Sequence, residues 1–183
     1  MDELIDIVTK TGKPTSQSAL KSVIHKKGYY HNTVHIWFYT DEGEVLLAQR
    51  SAKKVIYPLL WDVSVAGHID AGETIKEGAI REIKEEIGVT LKKKHLEKIG
   101  VFECFQSYPN GIIDNEFHHT FIVEISRYLT EFILQKEEVE AVKWVRMYEF
   151  FELLEHSKIN GHFVASNLEY YNTVIDAILE RIT

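Results

Sequence analysis

Residues 67–89, GHIDAGETIKEGAIREIKEEIGV, constrain this chain more than any other stretch. Thr74-Ile75-Lys76-Glu77 has the form of a capping box, in which two side chains satisfy backbone amides reciprocally, so a helix is predicted to start near Thr74. Gly88 suits the left-handed position that ends a helix. Between them Ile75, Ala79, Ile83 and Ile87 recur every four residues and form one apolar stripe for burial. Glu82 and Glu86 stand at i and i+4 with Glu85 beside them, so three carboxylates share one helix face. Arg81 can pair with Glu77 or Glu85 but cannot neutralise all of them. A hard divalent cation such as Mg²⁺, which takes carboxylate oxygens and water, would relieve the repulsion.

The spacing carries a resemblance. Gly67, five residues, Glu73, seven residues, Arg81-Glu82-Ile83, one residue, Glu85-Glu86, one residue and Gly88-Val89 fill the nine fixed positions of the Nudix box. The stretch therefore resembles the signature of the Nudix hydrolases. That resemblance implies an α/β fold, an α/β/α sandwich with a mixed β-sheet in which the box forms a loop-helix-loop. It implies Mg²⁺ or Mn²⁺ on Glu82 and Glu86, with Glu85 and the Gly67 carbonyl. Arg81 would hold the carboxylates in place with Glu73 as its partner, and Gly88 would be structural.

Composition limits the partners. The 183 residues suffice for one domain, and the net charge of −7 with pI near 5.7 argues against non-specific binding to nucleic acid or an anionic membrane. A negatively charged substrate must then find local basic groups or a metal. The single Cys104 forms no intramolecular disulfide, and the acidic start Met1-Asp2-Glu3 does not look like a signal peptide. The expected location is cytoplasmic, the expected partner a small diphosphate, and a homodimer is in keeping with the family.

Along the chain, residues 1–30 read as an N-terminal extension, 31–165 as a catalytic core and 166–183 as a C-terminal helix. Strands are predicted at Leu4–Thr9, Thr33–Thr40, Glu44–Arg50, Leu96–Gln106, Glu116–Ile125 and Ala141–Val145, from β-branched and aromatic runs bounded by turns. Ser18–Lys26 and Tyr148–His156 read as short helices. Ser166-Asn167-Leu168-Glu169 is a second capping box, opening a helix whose apolar face is Leu168, Tyr171, Ile175 and Ile178.

A second resemblance narrows the family. His31, Trp37, Arg50, Lys54, Pro58-Leu59-Leu60-Trp61 and Gly67-His68, with Gly111–Glu116 downstream, are similar to the isopentenyl-diphosphate isomerase branch of the superfamily. That likeness implies basic groups at Arg50 and Lys54 gripping a diphosphate. It also implies a second metal on His31, His68, Asp114 and Glu116; His25 stands one residue out of register as a third histidine. Two departures oppose isomerisation. The isomerases have a catalytic cysteine where this chain has Ala66, and a tyrosine where it has Cys104. Moving a double bond requires proton donation and removal, and alanine has no proton to give. The expected reaction is metal-assisted hydrolysis of a diphosphate linked to a group X, with Glu85 or Glu116 as general base. An isomerase and a non-catalytic ligand-binding module are the alternatives. Glu138 is a weaker base candidate, and His35, His118 and His119 are expected to bond their strand neighbours.

Overall fold

The computed structural model describes residues 2–128, 131–159 and 168–182. In chain order the elements are β1 (Leu4–Val8), β2 (Pro14–Leu20), α1 (Lys21–Lys27), β3 (His31–Tyr39), β4 (Glu44–Arg50), β5 (Trp61–Asp62) and β6 (Val65–His68). Then come α2 (Ile75–Ile87), β7 (Glu97–Ser107), β8 (Ile113–Glu124), β9 (Val139–Arg146), α3 (Met147–Glu155) and α4 (Leu168–Ile182). The sheet is mixed: β3 runs parallel to β8 and antiparallel to β1, β4 and β6. No helix among the described residues is long and apolar enough to cross a membrane.

Strand periodicity divides β3 between two cores, because successive side chains point to opposite faces. Val34, Ile36 and Phe38 join the core under α2, with Ala79, Ile83 and Ile87 of that helix. Trp37 and Tyr39 join the core under α3 and α4, with Phe150, Leu154, Val174 and Ile178. Helices therefore cover both faces, giving the α/β/α sandwich that the box implied. On the α3/α4 side the strands change character toward one end. His31, Thr33 and His35 precede Trp37, and Glu116, His118 and Thr120 precede Ile122. The parallel register sets His31 opposite Glu116 and Thr33 opposite His118. Polar residues at i and i+2 on two neighbouring strands thus collect at one end of one face.

Helix α2 forms as its sequence requires. Thr74 N–H donates to Glu77 Oε2 at 2.9 Å, and Gly88 closes the helix at φ 74°. Ala79, Ile83 and Ile87 are fully buried. The two isoleucines contribute about 3–6 kcal/mol, which offsets the cost of holding carboxylates on the neighbouring stripe.

Two sequence expectations change. Ser18–Leu20 belongs to β2 rather than to a helix, and α1 begins at Lys21. The reason is non-local: β1 offers a pairing edge, and Ser18 Oγ donates to Asp6 Oδ1 across it at 2.6 Å. In α4, Tyr170 and Val174 are buried together with Tyr171, Ile175 and Ile178, while Leu168 is exposed. Ser166 and Asn167 of the second capping box lie outside the described residues. Trp37 is core, and Trp61 and Trp144 pack at core margins.

Candidate active site

Helix α2 lays Glu82 and Glu86 against β6. Both carboxyls are buried, and Ala66 N–H donates to Glu86 Oε2 at 3.3 Å. Gly67 is required at this crossing, since a Cβ there would collide with the Glu82 carboxyl. Burial, reinforced by the Glu3 and Glu85 charges, pushes Glu82 up to about 7 despite Arg81. Burial and the Glu82 charge push Glu86 up to about 8 despite Lys54. The two carboxylates are thus held without enough positive charge to keep both ionised.

Arg81 organises the rest of the box. Its Nε and Nη2 grip the Glu73 carboxylate at 3.0 and 2.9 Å, and Nη2 also donates to the His68 carbonyl. Its Nη1 reaches Glu82 at 2.8 Å and Glu85 at 3.1 Å. Glu85 is half-exposed on the cavity wall.

Beside the carboxylates lies a histidine cluster. His25, His31, His68 and Glu116 each offer one ligand atom, all within 4.8 Å of one another. His25 Nε2 and His68 Nε2 approach to 3.2 Å. His31 Nε2 is buried without a hydrogen-bond partner among the described residues, 3.5 Å from Glu116 Oε1. Asp114 stands behind this group, 2.8 Å from His25 Nδ1. The resemblance put Asp114 in this set and left His25 one residue out of register; in the structure α1 packs against β8, so His25 stands within the cluster and Asp114 beside it. Burial and Lys21 hold His68 well below the ordinary imidazole range. Burial would lower His118 too, but hydrogen bonds to Cys104 and Glu116 outweigh it and raise it to about 10.

A cavity of about 340 Å³ joins the two clusters. Arg50 and Lys54 line it, as the sequence expected, but each already has partners. Arg50 donates to the Ile56 carbonyl and to Asp62 Oδ2 at 3.2 Å, and Lys54 pairs with Glu138. Sequence reasoning missed Lys21 and Glu3, which the β1–β2 hairpin brings to the cavity as an ion pair at 3.0 Å. It also missed Tyr170 and Tyr171 on α4. His118 bonds its strand neighbour Glu116 as expected, while His35 bonds Tyr170 of α4, and both also face the cavity. Their even spacing, four residues from His31 and two from Glu116, was the available signal. His119 bonds Asn32 at 3.0 Å and is not among the lining residues.

The NUDIX domain model matches residues 29–166, three quarters of the chain. The chain belongs to the Nudix family. Nudix hydrolase 3 of Arabidopsis thaliana is 40% identical over 98% of this Nudix chain and 24% of its own length, so the chain spans about a quarter of that protein. Isopentenyl-diphosphate Delta-isomerase 2 of Photorhabdus laumondii is 33% identical over 86% of the chain and 85% of the relative. Among solved structures, a Deinococcus radiodurans protein superposes with TM-score 0.67 at 18% identity, covering 93% of this chain and 97% of that one. The NUDIX domain of Shewanella oneidensis NrtR, solved with ADP ribose, gives 0.58 at 19% identity over 83% and 88%. At these identities the structural likeness shows the fold alone. General hydrolase activity of the Nudix type goes with the family.

Proposed function

We propose that this Nudix chain hydrolyses a diphosphate bond in a molecule of the form diphosphate–X, with Mg²⁺ or Mn²⁺ as cofactor. One observation carries the reading: two buried, under-neutralised carboxylates face a cavity lined by Lys21, Arg50 and Lys54. Their donor set, hard oxygens on a helix wall with the Gly67 backbone against them, fits a hard divalent cation. Glu82 and Glu86 would hold it, with Glu85 and the Gly67 carbonyl as further oxygen donors. When bound, the ion supplies Lewis acidity and charge neutralisation at the diphosphate.

The chain's own residues do the rest. Arg81 fixes Glu82 and Glu85 in position through its hold on Glu73. Lys54, Lys21 and Arg50 draw the phosphates into a protein of net negative charge. Glu85 is the general base we favour, because Glu116 is already drawn toward His31 and His118. Burial opposes ionisation of Glu116, but these imidazoles hold it well below the usual carboxylate range. The histidine cluster fits a second divalent ion: His31 Nε2 is orphaned, and Asp114 orients His25 from behind. Three imidazoles and one carboxylate favour a transition-type ion over Mg²⁺ there.

Isomerisation is the reading that the Photorhabdus relative suggests, and Ala66 speaks against it at the position of the missing cysteine. The test is a phosphate-release screen over nucleoside diphosphate sugars, dinucleotides, nucleoside triphosphates and prenyl diphosphates with Mg²⁺ and Mn²⁺. Release from at least one of them, lost in Glu86→Gln, is expected. Release from none would refute the proposal.

A further inference from the structure

The cavity extends past the carboxylates into a compartment that the hydrolytic chemistry does not use. Its walls are His35 of β3, Cys104 of β7, His118 of β8, Tyr170 of α4 and the Asp62 end of β5. We propose that this compartment reads hydroxyl groups on X, with His35 as the specificity-determining hydrogen-bond donor and Tyr170 as the residue that positions it. The proposal rests on the hydrolase reading and adds the substrate class: X is a polyhydroxylated group such as a sugar, not a prenyl chain.

His35 follows His31 and Thr33 on the same strand face, in register with Ala66 of β6 and Thr120 of β8. It is therefore the next residue inward on this face from the histidine cluster. Behind it runs a fixed chain of hydrogen bonds. Trp37 Nε1 donates to the Tyr170 hydroxyl oxygen at 2.7 Å. An indole nitrogen can only donate, so the tyrosine oxygen accepts there; its own proton has two acceptors in reach, His35 Nδ1 at 2.8 Å and the Thr120 hydroxyl, and we assign it to the imidazole. A neutral imidazole that accepts at Nδ1 carries its proton on Nε2. Burial keeps His35 neutral. His118 stacks on its face, centroids 3.9 Å apart at 28°, and is itself tied to Glu116 at 2.8 Å. The ring is thus locked from behind and from one side.

Asp62 also lines the cavity and offers carboxylate oxygens with lone pairs to spare, Oδ2 shared with Arg50 and Oδ1 with the Val63 N–H. A neutral N–H donor and a carboxylate acceptor together match a hydroxyl pair, which needs one partner of each kind. A prenyl chain would instead bury these groups unpaired. A site built to bond a hydroxyl rejects an analogue that lacks it far more strongly than an apolar pocket rejects a misfit.

The experiment compares wild type, His35→Leu, His35→Gln and Tyr170→Phe on ADP-ribose and UDP-glucose against dimethylallyl diphosphate, with kcat and KM separated. Wild type should favour a sugar diphosphate. His35→Leu should lower kcat/KM for it by roughly 10- to 100-fold, mostly through KM, without a matching loss on dimethylallyl diphosphate. His35→Gln, which keeps an N–H donor near the Nε2 position, should recover most of the loss. ¹⁵N NMR of the wild-type imidazole should show the Nε2–H tautomer, and Tyr170→Phe should shift it toward Nδ1–H with an intermediate rise in KM. An Nδ1–H tautomer in the wild type overturns the proposal, as does equal loss on both substrate classes in His35→Leu. If no diphosphate is turned over, the hydrolase reading fails. The compartment is then judged by the His35 ¹⁵N shift alone, which should respond to added ADP-ribose and not to dimethylallyl diphosphate; the reverse response overturns it.

Discussion

Glu86→Gln should make the protein more stable and nearly inactive at once. The Glu86 carboxyl moves from an ordinary 4.5 to about 8 on folding, through burial first and the Glu82 charge second. An unfolded chain ionises this group above about pH 4.5; the folded chain, without a cation, does so only near pH 8. Folding stability is therefore fully present below pH 4.5 and is lost as pH rises toward 8. At pH 7 the loss is about 3 kcal/mol, at about 1.4 kcal/mol for each pH unit above 4.5. Water entry at the cavity wall reduces this, to roughly 1.5–3 kcal/mol. Glutamine keeps the oxygen that accepts from Ala66 N–H and removes the charge. For a chain of this size each 1 kcal/mol shifts Tm by roughly 2–4 °C, so the variant should melt roughly 3–12 °C higher at pH 7 in EDTA. The difference should close by about pH 4.5 and widen toward pH 8. Millimolar Mg²⁺ should raise the wild-type Tm more than the variant's, because the cation stabilises the ionised pair. Turnover should fall by on the order of 10²-fold or more, since an amide is a poor ligand for a hard cation. A variant that melts below wild type in EDTA at pH 8, or a Tm difference independent of pH, would refute the reasoning.

Gly67→Ala should displace the Glu82 carboxyl and reduce turnover by about 10²-fold with the fold retained; steady-state rates and a melting curve check this, and full activity would remove Glu82 from the chemistry. Lys54→Ala frees Glu138 close to Glu86 and should raise KM by about 10-fold with little change in kcat. Arg50→Ala should also lower Tm, because Arg50 anchors the loop at the Ile56 carbonyl; kinetics and melting of the pair separate the two roles, and an unchanged KM in both would place the phosphates elsewhere. Isopentenyl diphosphate incubated in D₂O should take up no deuterium into an allylic product by NMR, and uptake at enzymatic rates would show that another group replaces the cysteine missing at Ala66.

The box helix was legible because its information is local. Capping, a four-residue apolar stripe and an αL glycine each depend on neighbours within one turn or two, and all three stand in α2 where the spacing put them. The hold of Arg81 on Glu73 was implied by the family resemblance, whereas helical spacing offered Glu77 or Glu85, of which Arg81 reaches Glu85. The histidine cluster was only half legible. His31, His68 and Glu116 come from three strands, and resemblance alone connected them.

What the sequence by itself determined is the carboxylate wall: residue types at helical intervals, whose mutual repulsion follows from one-dimensional spacing. What only the tertiary structure decided is which distant side chains share the cavity with it. His25 joins His31, His68 and Glu116, with Asp114 beside it, because α1 packs against β8. Lys21 enters because β1 and β2 pair at the sheet edge. Tyr170 reaches His35 across 135 residues because α4 covers the same sheet face. Each of these juxtapositions is fixed by strand register and by the burial of apolar faces, long-range quantities with no signature in any short window of sequence.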